Sequence, residues 1–352
     1  MRRSSLLFLC GVLVFLSGQT FAGNLEPIKP SPEPIDNPQT YEKTELGKKL
    51  FFDRRLSGDG TMSCATCHIP DQAFADGQDI GMSYPTTKNW RNTSTLINIG
   101  LQKFLFYDGR GKSLEEQALF PIMSAFEMNR NLDFVEEVIR GVPEYVADFK
   151  KVFGAEPDKK KIAMALASFQ RSLISKNSPL DRYLKGDKKA LSKDAVKGLI
   201  TFTGKGKCAD CHYGATLSDD KFYALNVPEN PDFKDDAGIA ATRRFVAKIS
   251  GFEDYRTLNE DPGRYLVTKD KKDWRAFRTP ALREVSKTAP YMHNGVFKTL
   301  DEVIDFFDRG GGAGNDALKP LNLSAEEKKC LKTFLIEALA GEDLVIKHPQ
   351  IP

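Results

Sequence analysis

Tryptophan and histidine are scarce in this chain, with two and four among 352 residues, and cysteine is nearly as rare at six. An excess of one charge is missing too. Lys and Arg total 51 against 48 for Asp and Glu, and Arg2 and Arg3 supply two of the three net positive charges. Nothing in that balance argues for nucleic-acid binding. Long apolar runs are absent beyond Leu6 to Leu16, which is too short to span a bilayer comfortably, so no stable membrane insertion is expected. Strand-like alternation of apolar and polar residues is thin throughout. What remains, 41% hydrophobic and 28% charged, is the composition of a soluble globular protein, long enough for two domains.

The N-terminus reads as an export leader over 1–22. Arg2 and Arg3 form its basic start, Leu6 to Leu16 its apolar stretch, and Thr20-Phe21-Ala22 a small-residue cleavage site before Gly23. The mature chain is therefore expected in the periplasm. Cys10 falls inside the leader and is discarded with it.

The four cysteines left besides Cys10 and Cys330 form two copies of one pattern, Cys64-Ala65-Thr66-Cys67-His68 and Cys208-Ala209-Asp210-Cys211-His212. Each reads as a covalent attachment site for haem c. Two thiols add across the porphyrin vinyl groups, and the adjacent histidine, His68 or His212, lies beneath the iron as proximal ligand. A zinc site, a redox Cys-x-x-Cys or a disulfide does not need the following histidine, which occurs both times. Cys330 sits in an apolar helical pattern and reads as a small buried side chain.

Between these anchors the chain predicts a mostly α fold of two cytochrome c-like haem domains with long loops. A Pro-rich arm occupies 23–40, the first domain 41–180 and the second 181–352. Ser113 with Glu116, Thr299, and Ser324 with Glu327 mark helix starts. Asp133 is expected to cap a helix through Val135 and Ile139. Ile162 to Ser172 and Ser192 to Phe202 carry helical spacing. Residues 69–92 read as a long loop, and the stretch from His212 to Thr299 as loop-rich.

Further motifs lie in order along nearly the whole mature chain: Leu46-Gly47 to Leu50-Phe51-Phe52-Asp53, Arg91-Asn92-Thr93, Tyr107-Asp108-Gly109-Arg110, Glu127-Met128, Arg278-Thr279-Pro280-Ala281-Leu282-Arg283, and Ala289-Pro290-Tyr291-Met292-His293-Asn294-Gly295. With the haem sites they resemble the dihaem bacterial cytochrome c peroxidase and MauG superfamily. The resemblance implies peroxide chemistry at the N-terminal haem and electron storage or relay at the C-terminal one. Such chemistry needs an open iron face and a carboxylate that moves a proton from the inner to the outer peroxide oxygen. Glu127 matches the family's catalytic glutamate, and Gln117 a distal glutamine of MauG-like members. Tyr107 stands where typical members have an inter-haem tryptophan. The Asn92 side-chain oxygen with the carbonyls of Thr288 and Pro290 matches the family's calcium site, whose oxygen donors suit that hard cation.

Three positions depart from the peroxidase pattern. The loop histidine that blocks the first haem in typical members is absent, with Met82 or Tyr84 in its place according to the alignment. The expected first haem is thus open without reductive activation. Phe307 stands at the family's ligand position over the second haem and cannot ligate iron, leaving Met292 or His293 as substitutes, or no sixth ligand. Gly206 replaces the tryptophan that MauG uses before its second haem histidine, and Trp90 and Trp274 are the only tryptophans present. Three activities compete: reduction of hydrogen peroxide with electrons from a small cytochrome c or cupredoxin, MauG-like oxidation of a protein substrate, and plain electron carriage. Glu127 argues against a carrier, and the missing tryptophan favours the peroxidase.

Overall fold

The computed structural model describes residues 24–352; the leader, its cleavage site and Cys10 lie outside the described residues. Helices dominate. In the first half, Thr40 caps α1 (Tyr41–Phe52), whose inner face is Leu46, Leu50 and Phe51. The single turn α2 (Cys64–Cys67) carries the first haem motif. Ser113 caps α3 (Leu114–Met123) as its sequence suggests. Then follow α4 (Leu132–Arg140), α5 (Pro143–Phe153) and α6 (Lys159–Ser172). The second half contains α7 (Pro179–Leu184), α8 (Lys193–Thr203), α9 (Ala237–Ile249), α10 (Tyr265–Thr268), α11 (Leu300–Asp308) and α12 (Ala325–Glu337). Two-residue strands β1 (Phe222–Tyr223) and β2 (Phe277–Arg278) pair antiparallel.

The two halves repeat one packing device. Helices α1 and α6 cross where a Cβ on Gly47 would overlap the Ala165 carbonyl, and α8 and α12 cross where a Cβ on Gly198 would overlap the Cys330 carbonyl. A phenylalanine pair locks each crossing: Phe51 and Phe169 have ring centroids 5.0 Å apart, and Phe202 and Phe334 5.2 Å. Both crossings therefore depend on the missing methyl group. Gly47→Ala and Gly198→Ala are each expected to cost about 1–3 kcal/mol through overpacking, visible as a lower midpoint in thermal unfolding of the haem-loaded protein. Unchanged midpoints would contradict this account.

The ends of the chain are exchanged between the halves. Leu25 is buried in the second core, and the Pro-rich arm is docked: the Ile28 N–H donates to Asp181 Oδ1 at 3.0 Å and buried Asn37 donates to Glu115 at 2.7 Å. In return, Leu344 and Ile346 pack against the first core, and the His348 ring meets Phe52 at 4.6 Å.

Several local readings need correction. Asn131, not Asp133, caps α4: its Oδ1 accepts from the Asp133 and Phe134 amides, and Asp133 lies in the first turn. Helix α7 runs across the expected boundary at 180/181, and α9 falls inside the supposedly loop-rich stretch. The inward face of α9 includes Thr242 and Arg243, the latter paired to Glu229 at 2.9 Å, so apolar periodicity is weak there. Cys330 is buried on α12 as expected.

Candidate active site: two haem anchors and the cavity at the first

The first motif opens onto a cavity that is open to solvent on one side. Cys64, Cys67 and His68 form one part of its wall, and Gln117, Phe126, Glu127 and Met128 another. His68 Nδ1 lies 3.0 Å from the Phe74 carbonyl oxygen. A carbonyl can only accept, so Nδ1 carries the proton and Nε2 keeps its lone pair for a metal. His212 repeats this arrangement, its Nδ1 lying 2.8 Å from the Leu217 carbonyl oxygen. Burial pulls both imidazoles below the ordinary histidine value and keeps them neutral.

The thiols point the same way. Burial pushes Cys64, Cys67 and Cys208 up to about 12 and raises Cys211. No disulfide joins them. A cavity walled by both motif cysteines, a histidine with a fixed tautomer and mostly apolar side chains fits haem c.

Glu127 is partly buried in this wall, and burial raises its carboxyl above the usual glutamate value, opposed by the charge of Arg110. Arg110 also lines the cavity, held to Asp108 at 2.9 Å with its guanidinium 3.6 Å from the Phe106 ring centroid. Gln117 Oε1 is buried without a hydrogen-bond partner in the protein, and so is Gln170 Oε1 on α6. Sequence reasoning missed Gln170; its one signal is a polar residue on the buried side of an apolar helix. Neither Met82 nor Tyr84 lines the cavity. The Met82 amide donates to Asp76 at 3.1 Å, and the Tyr84 hydroxyl lies beside the turn at Gly58 and Asp59.

Also in the cavity wall, Tyr107 donates its hydroxyl to Asn92 Oδ1 at 3.1 Å, and its carbonyl accepts from the Arg278 amide at 2.8 Å. Asn92 in turn donates its backbone N–H to the His293 carbonyl at 2.8 Å, which brings it beside the segment carrying Thr288 and Pro290. Buried Arg91, the first residue of the Arg91-Asn92-Thr93 motif, forms two bonds to Asp261 at 2.7 and 2.9 Å and one to Asp108 at 2.7 Å.

Around the second motif the candidate ligands separate. Met292 and Phe307 join an apolar cluster with Phe297, Phe306 and Val227. His293 is buried and stacked on Phe277 with centroids 3.8 Å apart, and burial drops its imidazole to about 3.

These anchors, in this order, match a known family. The sequence model of the family described as Di-haem cytochrome c peroxidase matches residues 41–189. Cytochrome-c peroxidase IdrP1 of Pseudomonas sp. strain SCT is 47% identical across 93% of this chain and 89% of its own. The chain belongs to the di-haem cytochrome c peroxidase family. Within it, the methylamine utilization protein MauG of Methylorubrum extorquens is 35% identical over 91% of this chain and 84% of its own. The crystal structure of a MauG-like protein associated with microbial copper homeostasis superposes with a TM-score of 0.75 at 28% identity, over 90% of this chain and 94% of that one. As a member, this chain is a di-haem oxidoreductase of mainly helical fold. Among the described residues no helix is long and apolar enough to cross a membrane.

Proposed function

We propose that the protein is a periplasmic peroxidase, exported by a leader over 1–22, that reduces hydrogen peroxide to water with electrons from a small cytochrome c or cupredoxin. Residues 41–180 form the peroxidatic domain and 181–352 the electron-transfer domain. The observation that carries the reading is Glu127, whose carboxylate shares the wall of one cavity with His68. Haem held by Cys64, Cys67 and His68 supplies the metal at which peroxide takes up electrons. The chain's own groups do the rest. Glu127 accepts the proton of the inner peroxide oxygen and returns it to the outer one, so that water leaves. The Arg110 charge keeps that carboxylate ionisable despite its burial. The unpartnered oxygens of Gln117 and Gln170 accept hydrogen bonds from peroxide or water.

Tyr107 joins the two sites as a neutral phenol. Its hydroxyl meets an amide oxygen, which is no base, and burial raises the hydroxyl well above its ordinary value. That oxygen accepts the hydrogen bond but cannot take the proton, so Tyr107 bridges without giving the proton up. Asn92 Oδ1 retains a second lone pair, available to a calcium ion shared with the carbonyls of Thr288 and Pro290. Cys208, Cys211 and His212 would hold the second haem, while Met292 and Phe307 lie together in their apolar cluster. His293 is committed to its stack on Phe277 and serves packing.

MauG-like oxidation of a partner protein is the second reading, favoured by the cavity free of Met82 and Tyr84. One measurement separates the two: turnover of hydrogen peroxide by the as-isolated, fully oxidised protein supplied with reduced small cytochrome c. Immediate multiple turnover is expected. Activity that appears only after half-reduction would sink the open first site. Negligible turnover with a long-lived oxidised state would transfer the assignment to protein oxidation.

A further inference from the structure

The chain's two tryptophans are distant in sequence yet belong to one small apolar cluster, built also from Ile239, Leu258 and Leu266. Trp90 is 3% exposed and forms part of the wall of the first cavity. Trp274 lies half-buried at the surface, its ring 5.3 Å from Tyr265 and 5.9 Å from Phe252. Tyr107, which leads to the second site, is not part of this cluster.

The two indoles differ in electrostatics. The Arg91 guanidinium sits 3.9 Å from the Trp90 ring centroid. That placement favours the neutral ring and opposes positive charge upon it. Trp274 has the reverse surroundings. Its Nε1–H donates to Glu260 Oε1 at 3.0 Å, and the other oxygen of Glu260 is held by Arg275 at 2.9 Å. A carboxylate on the indole N–H stabilises positive charge on the ring and can take its proton. An oxidising equivalent leaving the cavity is therefore disfavoured on Trp90 and favoured on Trp274, which sets its direction outward.

We propose that Trp90 and Trp274 form an exit by which oxidising equivalents leave the first site when peroxide has reacted and no electron arrives through Tyr107. The proposal rests on the reading that peroxide reacts in this cavity. Reduction of hydrogen peroxide to two waters consumes two electrons and two protons. One of those electrons is drawn from Trp274 by way of Trp90, and the other comes from the haem-bearing site. The Trp274 N–H bond breaks, its proton passes to Glu260 Oε1, and a neutral tryptophanyl radical remains at the surface. A later external reductant returns the electron, and Glu260 returns the proton.

The test treats the di-haem protein with excess hydrogen peroxide and no reductant, then reads freeze-quenched electron paramagnetic resonance and oxidised residues by peptide mass mapping. A tryptophanyl signal and oxygen addition at Trp274 are expected. Trp274→Phe should abolish both and redirect oxidation to Met62 and Met128 in the cavity wall. Trp90→Phe should lower marking of Trp274 several-fold, and Glu260→Gln, which cannot accept the proton, should shorten the life of the radical. Trp274 left unmodified and without a radical, in a preparation that still consumes peroxide with reduced cytochrome, overturns the exit and leaves the peroxidase standing. Marking of Trp274 that persists in Glu127→Gln overturns it as well, because the indole is then oxidised directly from solution. A preparation that consumes no peroxide with reduced cytochrome sinks the peroxidase reading and the exit together.

Discussion

Glu127→Gln lowers peroxide turnover by at least about 10²-fold, the lower end of what a positioned acid–base group contributes, while both haems stay attached. The amide fills the same space but neither takes nor returns a proton. Steady-state turnover and the haem absorbance of the purified variant check the two halves of the statement, and retained turnover would end the assignment of Glu127. The pH dependence follows from the same burial. Desolvation raises the Glu127 carboxyl above its usual value near about 4.3, against the pull of Arg110. The proton acceptor is the ionised form, so wild-type activity declines as pH falls through this raised value, at a higher pH than an exposed glutamate would give. Arg110→Met removes the opposing charge and shifts that acid limb further up. Stability runs the other way. A carboxyl with a raised value in the folded state contributes stability below its unfolded value and loses it as pH rises through the folded one. Glu127→Gln is thus expected to unfold at a higher temperature than wild type near neutral pH, which separates lost chemistry from lost fold.

The parts of this site that sequence exposes are those whose chemistry is local. Cys64 to His68 and Cys208 to His212 work at fixed short spacing, so the pattern alone names the cofactor. The caps Ser113, Thr299 and Ser324 are equally local and hold in the structure. What escapes depends on closure of the chain. Gln170 is one polar residue of a helix until α6 folds against α3 and its oxygen is left without a partner. Helix α9 hides because ion pairing, not apolar spacing, fills part of its inner face. Asn131 and Asp133 are both good capping residues, and only the backbone conformation decides between them. The grouping of Trp90 with Trp274 needs the first-half loop at 89–93 and the second-half segment at 228–276 in one place.

That same juxtaposition is held by Arg91, and Arg91→Met is expected to destabilise the protein by about 3–5 kcal/mol, the usual cost of stranding a buried charge. Arg91 is 7% exposed, and its partners Asp108 and Asp261 are buried more deeply. The two carboxylates do not lose equally. Asp108 keeps Arg110 at 2.9 Å, whereas Asp261 keeps only the Gly263 amide at 2.8 Å. Asp261 is therefore the stranded charge, and adding Asp261→Asn to Arg91→Met should recover much of the loss. Arg91→Lys should recover little, because one ammonium cannot reproduce the fork that grips both Asp261 oxygens. Acid reports the same pair in the wild type. Arg91 holds Asp261 down to about 2 in the folded protein. The stability it contributes is complete above the unfolded aspartate value near about 3.9 and drains away as pH falls toward 2. Thermal unfolding of the three variants, with an acid titration of the wild type, measures each step. Equal losses in Arg91→Met with and without Asp261→Asn would refute the stranded-charge account. Because Asp108 also positions Arg110 beside Glu127, Arg91→Met should depress peroxide turnover even at temperatures where it remains folded. The joint between the two halves thereby sets the proton chemistry of the first site.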